Sequence, residues 1–246
     1  MDTTLYVGLS DQMALQRRID IIANNLANMN TTGFKRETVL FQSYVQKMAG
    51  TETPGTADVS YVQDYGIVRD TSGGHLQTTG NTFDLALNGD GFFTTRTPQG
   101  QTRYTRNGHF SMSPTYELVS SSGLPVLDTS GKPISFLPTD TGINVSADGV
   151  ISTRERGVVG KIQVVKFANG QDLENVGDSM FKTSQVALPD KSPSIAQGML
   201  EASNVAPIEE MTNMIQVSRQ YQTIANLLDR QDQLQRQAIS DMPQVQ

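Results

Sequence analysis

Apolar positions recur along this chain in two rhythms. From Thr4 to about Met29, the residues Leu5, Leu9, Gln12, Gln16, Ile19, Ala23 and Leu26 follow steps of four and three. That spacing draws one face of a helix. Met13, Ile22 and Met29 widen the stripe, and Thr31, Thr32 and Gly33 supply stop signals. From Ile208 to Ile239 the rhythm is seven. Met211, Ser218, Ala225, Asp232 and Ile239 form one series, and Met214, Tyr221, Leu228 and Gln235 form another three positions later. This predicts a second helix with a heptad seam that turns polar towards its end. Pro207 suits a first helical turn, and Glu209 and Glu210 favour the positive end of the helix dipole.

Between these segments the rhythm is shorter. Turn dipeptides recur at Gly73-Gly74, Gly80-Asn81, Asn88-Gly89, Asp90-Gly91, Asn107-Gly108, Ser122-Gly123, Asp148-Gly149 and Asn169-Gly170. Short apolar or alternating runs lie between them, such as Phe83–Leu87, Leu124–Leu127 and Lys161–Phe167. This is the pattern of hairpins and short strands. Residues 34–70 are punctuated less and read as an extended linker with a short helix near Val39–Lys47. The expected fold is α+β, with a mainly β central domain and long N- and C-terminal helices. The expected divisions are 1–33 (N-terminal helix), 34–74 (linker), 75–197 (β domain) and 198–246 (C-terminal helix).

Two arrangements bury the helical stripes. They pack on the β domain of the same chain, or they pair into a coiled-coil-like layer completed by neighbouring subunits. Gln and Asp in the seams are costly in a monomer core and tolerable where many helices exchange hydrogen bonds.

Composition narrows the function. Only 18% of the 246 residues are charged and 37% are apolar, the balance being largely Gly, Ser, Thr, Asn and Gln. The net charge of −6, with no basic cluster, gives no electrostatic reason to bind nucleic acid. There is no cysteine, which removes disulfides, thiol nucleophiles and Cys-based metal sites together. The start of the chain lacks the basic and apolar regions of a cleaved signal peptide. No apolar run reaches the roughly 18 residues that insertion into a bilayer requires.

Four segments carry a family resemblance. Ala23–Lys35 reads ANNLANMNTTGFK, and Gly198–Tyr221 reads GMLEASNVAPIEEMTNMIQVSRQY. Gly80–Phe93 reads GNTFDLALNGDGFF, and Tyr104–Phe110 reads YTRNGHF. These resemble, in the same order, the signatures of the bacterial flagellar rod and hook proteins. The opening from Thr4 resembles proximal rod members, with a distal rod member as the alternative. The resemblance implies a non-enzymatic structural subunit that polymerises helically into the hollow axial drive shaft. It implies an inner layer of paired terminal helices with the β domain outside. It also implies copies of itself and other rod subunits as partners, passage through the flagellar type III export apparatus, and a place in the basal body across the periplasm. A secreted cell-wall-binding or -hydrolysing β protein is the competing reading from another class.

On this reading the assembly residues are Leu5, Leu9, Ile19, Ile22, Ala23, Asn24, Asn25, Leu26 and Asn28 in the first helical region, and Met211, Met214, Ile215, Tyr221, Ala225 and Leu228 in the second. The asparagines either face solvent or bond across chains, since one amide both donates and accepts. Gly33 is expected in a left-handed conformation with Phe34 as an anchor. Gly80, Asn81, Asp84, Gly89, Gly91, Asn107, Gly108 and Asn204 are expected at turns or caps. Asn88–Gly91 fails as a calcium loop, because with Gly89 as the loop glycine the third and last ligand positions fall on Ala86 and Thr95. His75 and His109 have no partner at metal-ligand spacing, and no nucleophile elbow or phosphate loop is present. No cofactor, metal or catalytic residue is expected.

Overall fold

The structure is a computed structural model that describes residues 2–46 and 59–240. It is α+β: helix α1 (Asp2–Ala27), two longer strands (Glu37–Gln46 and Val59–Arg69), fifteen short strands, and helix α2 (Pro207–Ser240). The chain divides into two compact units. One comprises residues 1–27, 37–68 and 206–246, and the other 28–36 and 69–205.

The first unit contains both helices and the two longer strands. α1 and α2 are in contact, and α1 also meets the strand Glu37–Gln46. Gly8 allows close approach: a Cβ there would stand 2.7 Å from Cδ2 of Leu228. Ile21, Ile22 and Asn25 of α1 and Glu210 and Val217 of α2 are buried. α2 opens on Pro207 with Glu209 and Glu210 in its first turn, as the sequence predicts. The short helix expected near Val39–Lys47 is not formed. Glu37–Gln46 is a strand paired with Val59–Arg69. Exposure alternates along 37–41, with Glu37, Val39 and Phe41 more buried than Thr38 and Leu40. That two-residue period, in a run rich in β-branched and aromatic residues, outweighs the local helical signal. Lys47 lies outside the described residues.

The second unit is built from small antiparallel sheets. The largest has six strands in the order Glu174–Asn175, Met180–Lys182, Thr102–Thr105, Phe92–Arg96, Val164–Lys166, Leu188–Pro189. A three-stranded sheet sets Gly157–Lys161, Val150–Thr153 and Asn144–Val145 side by side. Three further pairs join Leu85–Leu87 to Ile195–Gln197, Leu76–Thr78 to Met199–Glu201, and Phe110–Met112 to Leu118–Ser120. Strands this short cannot bury a face alone, and they converge on one core that includes Leu85, Phe93, Phe110, Leu118, Val126, Ile151, Ile162 and Val164. Phe93 and Phe110 meet edge to face with centroids 5.0 Å apart.

Two of the predicted turns are tight and local. Ser122-Gly123 folds back at φ 75° with Gly123 N donating to Ser120 O, and Asp148-Gly149 does so at φ 84° with Gly149 N donating to Ser146 O. Asn88–Gly91 is not a hairpin. It links Leu85–Leu87 to Phe92–Arg96, which lie in different sheets. Asn169-Gly170 caps a short 3-10 turn, where the Asn169 side chain accepts from Gln171 N.

Candidate functional site: the terminal helices and the buried junction of the motifs

On α1, Ile22 and Asn25 are buried, Ile19 and Leu26 are half-buried, and Leu9, Ala23 and Asn24 are exposed. Leu5 lies on α1 outside the described side chains. Asn28, just past the helix, accepts a hydrogen bond from Thr31 Oγ1. On α2, Met214, Tyr221, Ala225 and Leu228 are half-buried, whereas Met211 and Ile215 are exposed. The most buried positions of α2, Glu210 and Val217, stand one residue before Met211 and Ser218 of one predicted seam. Met211 and Asp232 are exposed, while Ser218 and Ala225 are half-buried like Ile224 and Gln231. Ile21, Glu210 and Val217 were missed because the polar residues Asn25 and Glu210 occupy inward positions and break the apolar rhythm.

The apolar residues left outside form ridges. Tyr6, Leu9 and Met13 follow one face of α1, with Met13 67% exposed. Ile208, Met211 and Ile215 do the same on α2, where Ile208 is 77% and Leu234 67% exposed. A groove of about 810 Å³ runs along the helices, lined by Ala14, Leu15, Ile215 and Ile224 and walled by Phe41. Large apolar side chains in such rows mark interaction surfaces.

In the second unit the motif segments meet at Glu201. Its carboxylate accepts from Lys35 Nζ at 2.6 Å, Arg106 Nη1 at 3.1 Å and Gly74 N at 3.0 Å. All three charged side chains are at most 3% exposed. Burial pushes the Lys35 ammonium below its ordinary value, against the opposing pull of Glu201. The Glu201 carbonyl accepts from Gly33 N at 2.8 Å. Gly33 takes φ 68°, and a Cβ there would meet the Arg106 carbonyl at 2.6 Å. Phe34 is buried beside this junction in sequence. Asn204 does not cap α2. Its Oδ1 accepts from Arg36 N at 2.7 Å, and its Nδ2 donates to the carbonyls of Asp70 and Ser72 at 3.1 Å each.

The remaining motif residues shape backbone. Asp84 accepts from Asn81 Nδ2 at 3.0 Å and pairs with His109 Nδ1 at 2.8 Å. Asn107 Oδ1 accepts from His109 N at 3.0 Å. Gly108 has no room for a side chain, since a Cβ would stand 1.6 Å from the Leu85 carbonyl oxygen. Gly91 lets Val164 approach, and Gly80 and Gly89 take positive φ of 73° and 110°. Among the described residues no cluster of His, Asp and Glu is arranged to hold a metal, and no helix is long and apolar enough to cross a membrane.

Three family models match along the chain. Residues 5–35 match flagella basal body rod protein, 86–153 match the flagellar hook protein FlgE/F/G D1 domain, and 196–241 match the flagellar basal body rod FlgEFG protein C-terminal region. The flagellar basal-body rod protein FlgF of Caulobacter vibrioides is 39% identical over the full length of both chains. FlgF of Mesorhizobium japonicum is 40% identical over 93% of this chain and 92% of its own. The rod protein FlgG of Buchnera aphidicola subsp. Schizaphis graminum is 30% identical over 95% of this chain and 97% of its own. With its signature segments matched in order and likeness running from end to end, the chain belongs to the flagellar basal-body rod protein family.

Proposed function

We propose that this protein is a structural subunit of the proximal rod of the bacterial flagellum, of the FlgF kind, and not an enzyme. The observation that carries the reading is the 39% identity to a FlgF protein over the whole of both chains. The exposed ridges of α1 and α2 support it, because they offer apolar surface that a neighbouring subunit would cover. In this reading the terminal helices form a coiled-coil-like α layer with those of copies and of other rod subunits. Contacts of this kind, using different faces on the two partners, do not close and so generate a helical filament. The subunit passes through the flagellar export apparatus and transmits torque in the periplasm.

Likeness to FlgG proteins, at 30% identity, favours a distal rod subunit as the second reading. Complementation separates the two. Expression in a strain lacking its FlgF-type subunit should restore motility. Rescue only of a strain lacking its FlgG-type subunit would move the protein to the distal rod, and rescue of neither would remove the rod assignment.

A further inference from the structure

The second unit holds a pocket of about 320 Å³ that gathers Lys35, Arg69, Arg106 and Lys166, with Asp90 on its rim and Phe92 and Phe167 as apolar walls. The groups around these cations are mostly committed. Lys166 pairs with Asp190 at 3.0 Å, Arg69 donates to the Leu173 carbonyl at 2.7 Å, and the Asp70 carboxylate accepts from Ser72 N at 2.9 Å. Behind the lining, the Glu201 carboxylate is bonded to two buried cations, Lys35 and Arg106. Donor capacity is left over there. Lys35 Nζ gives two bonds, to Ser72 O and Glu201, and has a third proton to give. Arg106 bonds Glu201 and the Gly89 carbonyl, and its Nε is buried with no acceptor.

Two buried cations share one bonded carboxylate, with Asp70 adding a weaker pull on Lys35, and a second bonded carboxylate would accept from the donors left over. The ring walls, with the Arg106 guanidinium 5.3 Å from the Phe92 centroid, keep the local dielectric low and strengthen such a contact. We propose that this pocket binds a carboxylate, presented as an Asp or Glu side chain by a neighbouring subunit in the assembled rod. Charge favours that occupant: the chain carries 25 acidic against 19 basic residues, so copies packed together offer carboxylates in excess. The identity of the occupant rests on the rod reading, and the existence of the site does not.

The test begins on the purified full chain. Acetate and inorganic phosphate are titrated separately while the amide signals of Gly91 and Phe92 and the side-chain signals of Lys35 are followed by NMR. Saturable shifts with acetate are expected, weakened about twofold to fivefold in K166E, with its fold checked by an unchanged circular dichroism spectrum. Absence of saturable shifts, or equal affinity in K166E, overturns the site. Stronger binding of phosphate than of acetate overturns the carboxylate assignment. The second arm compares co-assembly of wild type and K166E with other rod subunits, where K166E should assemble less well. Equal assembly of the two overturns a neighbour's carboxylate as the occupant. Failure of the wild type to assemble at all counts against the rod reading, while the titration still decides the pocket.

Discussion

Asn25 on α1 is paired with the backbone of Glu37 as if it were a neighbouring strand: its Nδ2 donates to the Glu37 carbonyl at 2.8 Å and its Oδ1 accepts from the Glu37 amide at 2.9 Å. Both residues are buried, so water cannot replace either bond. N25A should lose both bonds to the buried Glu37 backbone, at about 1–3 kcal/mol each. N25D should be no rescue, because it loses the donor and brings a second acid near Glu210, whose Oε2 lies 3.5 Å from Nδ2. Thermal melts followed by circular dichroism check both variants.

Glu201 stands between two buried cations, and E201Q removes the carboxylate bonded to both. Breaking a buried pair from one side typically costs about 3–5 kcal/mol. Urea unfolding should show a loss of that order. The double variant K35M/E201L leaves one buried cation, Arg106, without its bonded carboxylate instead of two, and should be milder than E201Q if uncompensated charge, rather than lost packing, is the cause.

The glycines separate into two mechanical classes. G108A and G74A should abolish folding, since their Cβ atoms would lie 1.6 Å and 1.8 Å from the carbonyl oxygens of Leu85 and Ala202. G123A meets open space and should cost only the strain of its positive φ, about 1–2 kcal/mol. Yield of folded protein and melting temperature distinguish the classes.

Acid stability should depend on Asp140. The Arg156 guanidinium, which donates through Nε at 3.0 Å, holds this carboxyl below its ordinary value. A carboxyl lowered on folding adds stability that is present above its unfolded pKa, near 3.8, and is lost as pH falls through the folded value. D140N should therefore flatten the fall in stability below about pH 4 and lower stability at neutral pH. Denaturant midpoints measured across pH would show it, and an unchanged acid slope would count against the pair.

Hydrogen exchange on the unassembled chain should be graded along α1. Amides around Ile21–Asn25, whose side chains include buried ones, should exchange more slowly than those from Tyr6 to Met13, where the exposed ridge lies. Equal protection along the helix would mean that the ridge is covered without a partner.

The helices and the β-rich middle were legible because their rhythms differ and because Pro207, Gly123 and Gly149 sit where their backbone preferences are used. The strand Glu37–Gln46 was not, since its period-two burial depends on a partner strand that local spacing does not reveal. Asn25 illustrates a second limit. Sequence offered solvent or another chain as partners for its amide, and the structure supplies the backbone of Glu37, twelve residues away. Glu201 illustrates a third. Nothing near it in sequence announces that Lys35 and Arg106 will share it, because charge pairing over such separations leaves no local pattern.

The Lys35–Glu201 contact spans 166 residues. Closing so long a loop is slow, because chain entropy must be lost before the contact returns anything. The first motif therefore cannot complete its bonding while the chain is emerging in order from its N-terminus; it must wait for Glu201. Until then Lys35 stays hydrated and Gly33 lacks its acceptor. The junction's bonds, and with them the final setting of Gly33 and Lys35, close only once the chain through Glu201 is present.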